Sequence, residues 1–171
     1  MVILTSGSSQ AHIKMYIGID LGGTKTESII LDKKGNELER IRKSTPKNYN
    51  GTLDIVCELV NYLEDKYKSK CSVGVGSPGA LSFENDCIKG GNSTWLNNRP
   101  LKKDLELRLN RNIFLENDAN CFALSESIDG AGKSDDVVFG VIIGTGVGGG
   151  LVINNKIING HNNITGEWGH N

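Results

Sequence analysis

A chain of 171 residues with 37% hydrophobic side chains is long enough for one ordinary domain with a real core. Its 19 basic and 20 acidic residues leave a net charge of −1, which excludes a basic field able to hold nucleic acid or an anionic membrane, so any phosphate site must be local. Cys57, Cys71, Cys87 and Cys121 lack metal-ligand spacing and read as reduced, buried thiols of a cytoplasmic protein, and no apolar run is long enough to cross a bilayer.

Residues 1–14, with Ser6-Gly7-Ser8-Ser9-Gln10, read as a disordered leader or a remnant of expression before a natural start at Met15. A β-type run over 15–21 enters the glycine-dense loop Asp20-Leu21-Gly22-Gly23-Thr24-Lys25. A strand over 28–31, a turn at Lys33-Lys34-Gly35-Asn36 and a strand over 37–42 complete an antiparallel meander. Leu53, Val56, Cys57, Val60, Leu63 and Tyr67 recur at helical spacing and predict an amphipathic helix over 52–68, capped near Thr52. A buried strand over 72–76 runs into the turn Ser77-Pro78-Gly79. Leu101, Leu105 and Leu109 mark a second helix, 112–115 a strand and 119–128 a third helix.

After the breaker Asp129-Gly130-Ala131-Gly132-Lys133, a strand over 137–143 leads into a second glycine run, Gly144-Thr145-Gly146-Val147-Gly148-Gly149-Gly150, followed by strands over 151–153 and 156–158. This order repeats the plan of residues 15–42 and implies an internal duplication. No helix follows to cover the second sheet, so apolar surface is left for something else to bury.

Glycine in both loops lets successive N–H groups turn toward an anion with no Cβ in the way, and two such loops suggest a nucleotide polyphosphate held between two halves. The first is not a Walker A element, because Gly18 to Lys25 reads G-x-x-x-x-G-T-K, with threonine where the lysine should follow the last glycine. Taken alone, each chemical residue also has a plainer reading. Asp118 would serve as an N-cap for the helix beginning at Ala119, Asp20 as a turn former, Lys25 as a solvated charge, and Asn92 and Asn117 as loop asparagines.

Together, however, six segments in order resemble the ROK family of bacterial sugar kinases. They are Ile17 to Glu27, Gly74-Val75-Gly76-Ser77-Pro78-Gly79, Asn92-Ser93-Thr94-Trp95-Leu96-Asn97, Glu116-Asn117-Asp118-Ala119-Asn120-Cys121, Gly144 to Gly150, and Gly166-Glu167-Trp168-Gly169-His170-Asn171. The resemblance implies an α/β chain of the actin-like ATPase (ribonuclease H-like) fold. Residues 15–133 would be the sugar-kinase lobe and 134–171 the truncated beginning of a second lobe. Asn92 to Asn97, Ser125 to Gly130 and Gly166 to Asn171 look most like the fructokinases, with N-acetylglucosamine kinase and glucokinase as alternatives within the family. A non-catalytic sugar-binding fragment and a sugar-responsive regulator are the alternatives of another class. The regulators of the family carry a DNA-binding module before the first strand, for which fourteen residues leave no room.

The resemblance makes Asp118 the base that orients a hexose hydroxyl and takes its proton, held charged by the helix N-terminus. It assigns Asp20 to Mg²⁺, directly or through water, and Gly22, Gly23, Thr24, Lys25, Gly144, Thr145 and Gly146 to the phosphates of ATP. Asn92, Asn117, Glu167 and His170 become sugar contacts beside Asp118. In the family the histidine at position 170 also ligates a structural Zn²⁺, whose cysteines would lie beyond the end of this chain; His170 alone does not make such a site. A homodimer is implied as well.

Overall fold

The computed structural model describes residues 15–82, 84–143, 147–161, 163, 165, 166, 168 and 169. The expected leader at 1–14 lies outside them.

β1 (Met15–Leu21), β2 (Lys25–Asp32) and β3 (Glu37–Ser44) form the expected antiparallel meander, with β2 and β3 each longer than the apolar pattern indicated. Alternation along β1 points Ile17, Ile19 and Leu21 into the core and places Gly18 and Asp20 on the opposite face. α1 (Tyr49–Tyr67) begins at Tyr49 rather than Thr52. Asn48 is its N-cap, accepting the Gly51 N–H at 2.8 Å, and Tyr49-Asn50-Gly51 carries no apolar periodicity that would have revealed this first turn. Thr52 is instead a buried residue inside the helix, whose hydroxyl accepts from Trp95 Nε1 at 3.0 Å.

β4 (Cys71–Ser77) runs parallel to β1, and a small hairpin of β5 (Ala80–Leu81) and β6 (Ile88–Lys89), unforeseen from the sequence, follows the proline turn. A single 3₁₀ turn (Thr94–Leu96) precedes α2 (Leu101–Leu109). β7 (Phe114–Asn117) then pairs parallel to β4, closing a five-stranded sheet of order β3-β2-β1-β4-β7. Leu53, Val56, Leu59, Val60 and Leu63 of α1, with Leu101 and Leu105 of α2, pack on Ile17, Ile19, Ile30, Val73 and Val75, so one face of this sheet carries the main core.

α3 (Asp118–Ile128) leaves β7 directly and packs on a second, three-stranded sheet of order β10-β9-β8, formed by β8 (Val137–Ile143), β9 (Val147–Ile153) and β10 (Lys156–Ile157). The second sheet repeats the antiparallel meander of β1 to β3. Close approach of α3 requires glycine at two points. A Cβ on Gly140 would stand 2.8 Å from the Ala123 Cβ, and one on Gly150 would stand 2.7 Å from the Ala119 carbonyl oxygen. The outward side chains of β8, Val137, Phe139, Val141 and Ile143, are exposed, which is the uncovered apolar surface expected of the second unit.

Candidate active site

The three parallel strands end in one row. Register places Asp20 of β1 beside Gly76 of β4, and Gly76 beside Glu116 of β7, all on the face away from α1. Gly18, Gly74 and Gly76 leave the floor of that face without side chains. A cavity of about 470 Å³ opens over it, walled by α3 through Cys121, Phe122 and Ser125 and ringed by Asp20, Glu27, Arg40, Glu116 and Asp118. The carboxyl edge of parallel strands is where open α/β sheets bind ligands.

Asp118 is the first residue of α3 rather than its cap. Asn117 caps the helix, accepting the Asn120 N–H on Oδ1 at 3.1 Å, while Asp118 Oδ1 accepts the Ala119 N–H at 2.8 Å. The cap falls one residue earlier than expected because asparagine and aspartate serve a cap about equally well. The Asn117 side chain also donates from Nδ2 to the Gly79 carbonyl at 3.1 Å, so it ties the turn after β4 to the start of α3. One acceptor site and one N–H of its amide are thereby committed to the fold.

Asp20 is exposed at the rim, and its pKa is raised, first by desolvation within the cleft and then by the neighbouring Glu27 carboxylate, with Arg42 opposing. Burial would raise Glu27 too, but hydrogen bonds from Arg40 and Arg42 override it and hold this carboxylate low. The Cys121 thiol in the cavity wall is pushed up to about 12 by burial, reinforced by Glu116 and Asp118, so it stays protonated.

The first glycine loop is a tight hairpin turn. Gly22 donates its N–H to the Lys25 carbonyl at 3.0 Å and accepts from Thr45 Oγ1 at 2.8 Å, so the amide expected to face a phosphate is spent inside the turn. Gly23 lies against Ser93, whose Oγ would be 2.9 Å from a Cβ there. Thr24 and Lys25 are exposed. The phosphate-loop candidates therefore adjoin the segment that carries Asn92. Asn92 is exposed between buried Gly91 and Ser93, and Asn97 locks that loop by bonding both the N–H and the carbonyl of Gly91, each at 3.0 Å.

Gly144, Thr145 and Gly146, with Glu167 and His170, lie outside the described residues. The remainder of the second glycine run belongs to β9, where Gly150 packs on α3. Among the described residues no group of three His, Cys, Asp or Glu side chains is placed to hold a metal ion.

The structure also assembles residues that no spacing argument brought together. Glu27, Arg40 and Arg42 form an ion cluster on the cavity rim. Glu116 and Asn120, which flank Asp118 within its motif, bond Asn159 from the second unit. The sequence held Glu116 and Asn120 inside the Asp118 motif and carried no sign of Asn159.

Known proteins similar to this chain bear on its family and fold. The profile of the ROK family matches residues 16–171. An N-acetyl-D-glucosamine kinase of Salmonella newport (strain SL254) is 45% identical over 157 residues, covering 91% of this chain and 52% of that protein. The crystal structure of a ROK family glucokinase from Streptomyces griseus in complex with glucose and AMPPNP superposes with a TM-score of 0.81 at 32% identity, covering 92% of this chain and 50% of that one. A ROK hexokinase from Thermus thermophilus gives 0.79 at 30% identity, covering 92% and 53%. The chain thus spans about half the length of the relatives it matches. With a profile match over nearly every residue and the actin-like fold of these kinases in its first sheet, this chain belongs to the ROK family.

Proposed function

We propose that the protein phosphorylates a hexose with ATP, using Asp118 as the base. The observation that carries this reading is that Asp20 and Asp118 line one cavity at the carboxyl ends of three parallel strands, next to an exposed Thr24-Lys25 turn. In this reading Asp118 orients a hexose hydroxyl and takes its proton as the oxygen attacks the terminal phosphorus of ATP; the bond to the bridging oxygen breaks and ADP leaves. Asn92, Asn117, Glu167 and His170 hold the other sugar hydroxyls. The N–H groups of Gly23 and Thr24, the Lys25 ammonium and the segment Gly144-Thr145-Gly146 face the nucleotide phosphates; Gly22 shapes the turn, its N–H spent on the Lys25 carbonyl.

The donor set at Asp20 fits Mg²⁺, which takes one or two carboxylates plus substrate phosphates and keeps its other ligands as water. A carboxylate whose ionisation is disfavoured by its surroundings gains from a bound cation. Mg²⁺ would supply charge neutralisation on the phosphates. Residues 15–133 serve as the first lobe and 134–171 as the opening of the second. A homodimer in the cytoplasm completes the reading, and light scattering on the purified protein tests the dimer.

On the sugar, names among the relatives favour N-acetyl-D-glucosamine and glucose over the fructose expected from the sequence. N-acetyl-D-glucosamine is therefore the first acceptor to assay. A coupled ADP-release assay over N-acetylglucosamine, glucose, mannose and fructose is expected to show turnover in the wild type. Asp118→Asn should lower kcat by about 10³-fold while hexose affinity stays within about threefold. Wild-type turnover in that variant would remove the base.

A further inference from the structure

Around the corner between β7 and α3, three side chains close a ring. Glu116 Oε1 accepts the Asn117 N–H at 2.8 Å and Asn120 Nδ2 at 3.0 Å; Asn120 Nδ2 also donates to Asn159 Oδ1 at 3.0 Å; and Asn159 Nδ2 returns to Glu116 Oε2 at 3.4 Å. Asn120 is buried, Glu116 and Asn159 half-buried. Beside the ring a second tie joins the same two parts, Asn163 Nδ2 donating to the Leu81 carbonyl at 2.9 Å. Between the ties lies a polar cavity of about 50 Å³, lined by Ser77, Asn117, Asn159 and Asn163, large enough for ordered water. The Ser77 hydroxyl, 1% exposed, has no hydrogen-bond partner there among the described residues.

The polarity of the ring is fully determined. Both N–H groups of Asn120 are used, one toward each neighbour, so Asn159 must present its oxygen to Asn120 and its N–H to position 116. Position 116 must then accept on both atoms, which a carboxylate does and an amide does not. A network satisfied at every member holds its parts in one arrangement, whereas one broken at a single member does not. This one links the residue two positions before Asp118 to the chain that leads from β10 toward Glu167 and His170.

We propose that Glu116, Asn120 and Asn159 are positioning residues that hold the chain after β10 against the β7–α3 corner that carries Asp118. The proposal rests on the kinase reading above for its consequence, but the ring itself is testable without it. Glu116→Gln places an NH₂ group against the NH₂ of Asn159, and Asn159→Asp places a carboxylate against that of Glu116. The double variant Glu116→Gln/Asn159→Asp restores every donor–acceptor match with the charge moved across the ring. Its amide at position 116 donates to the carboxylate at position 159, and that carboxylate still accepts from Asn120.

The test measures hexose KM and kcat, together with backbone hydrogen exchange over 147–161, in the wild type, both single variants and the double. Each single variant should raise KM about tenfold or more, change kcat less than about threefold and speed exchange over 147–161; the double should return KM to within about threefold of wild type and restore protection. Single variants with unchanged KM, or a double in which the two losses add, would overturn the proposal, since a merely structural corner shows no rescue by an inverted ring. If the wild type phosphorylates no hexose, the kinase reading fails by itself. Exchange then decides the ring: restored protection in the double supports it, and continued exposure overturns it.

Discussion

Asn117 and Asp118 divide two tasks between adjacent positions. Asn117 caps α3 and reaches back to Gly79, which leaves Asp118 at the first helical position with its carboxylate on the cavity. Anchoring at Gly79 depends on a backbone that only glycine adopts at low cost: its φ is +82°, and a Cβ there would stand 2.5 Å from the Lys89 carbonyl oxygen. Gly79→Ala should therefore destabilise the protein by about 2–3 kcal/mol, read by denaturant unfolding, and weaken hexose binding by displacing Asn117. The sequence made Asp118 and Asn117 legible as site residues because their motif is dense and specific. It could not tell which of the two caps α3, since asparagine and aspartate serve a cap about equally well. Nor could it reveal that the Gly22 amide is spent within its own turn, because that depends on the strand pairing on either side.

Among the elements, α1 shows how a buried charge supports the frame beneath the site. Glu64 near its end is 6% exposed, and burial alone would raise its pKa. Hydrogen bonds from Arg111, Lys70 and the Cys71 N–H override that and pull it down to about 2. A carboxylate with a folded pKa below its unfolded value adds stability that is present above the unfolded pKa, near 4.5, and lost as pH falls toward 2. On the order of 2–3 kcal/mol should disappear across that window. Urea melts of wild type and Glu64→Gln between pH 6 and pH 2 check this, because the variant should be weaker at neutral pH yet show a shallower acid slope. Elements with an apolar run, such as β1 and β8, or with leucines at helical spacing, such as α2, were legible in outline. β9 was legible only over 151–153; its first half was not, since Val147 is followed by three glycines that carry no alternation, and its strand character there comes from pairing with β8. The β5–β6 hairpin escaped because two residues on each side are too few to show an alternation.

At the level of the whole molecule, order along the chain predicted two meanders joined by helices, and the structure arranges them so that α3 serves both sheets. One of its faces walls the cavity and another rests on Gly140 and Gly150. What no pattern could disclose is contact across long separations. Asn159 meets Glu116 from 43 positions away, and Gly23 meets Ser93 across α1 and the strands β2 to β6. The candidate site is the product of those meetings, with Asp20, Gly76 and Glu116 in one row and Asp118 above it. The most direct measurement is a crystal structure of the protein with N-acetylglucosamine and a non-hydrolysable ATP analogue. The account predicts an Asp118 carboxylate oxygen about 2.6–3.2 Å from a hexose hydroxyl, with the analogue's terminal phosphate beside Thr24 and Lys25. A hexose bound away from Asp118, or phosphates lying outside the cavity at the ends of β1, β4 and β7, would contradict it.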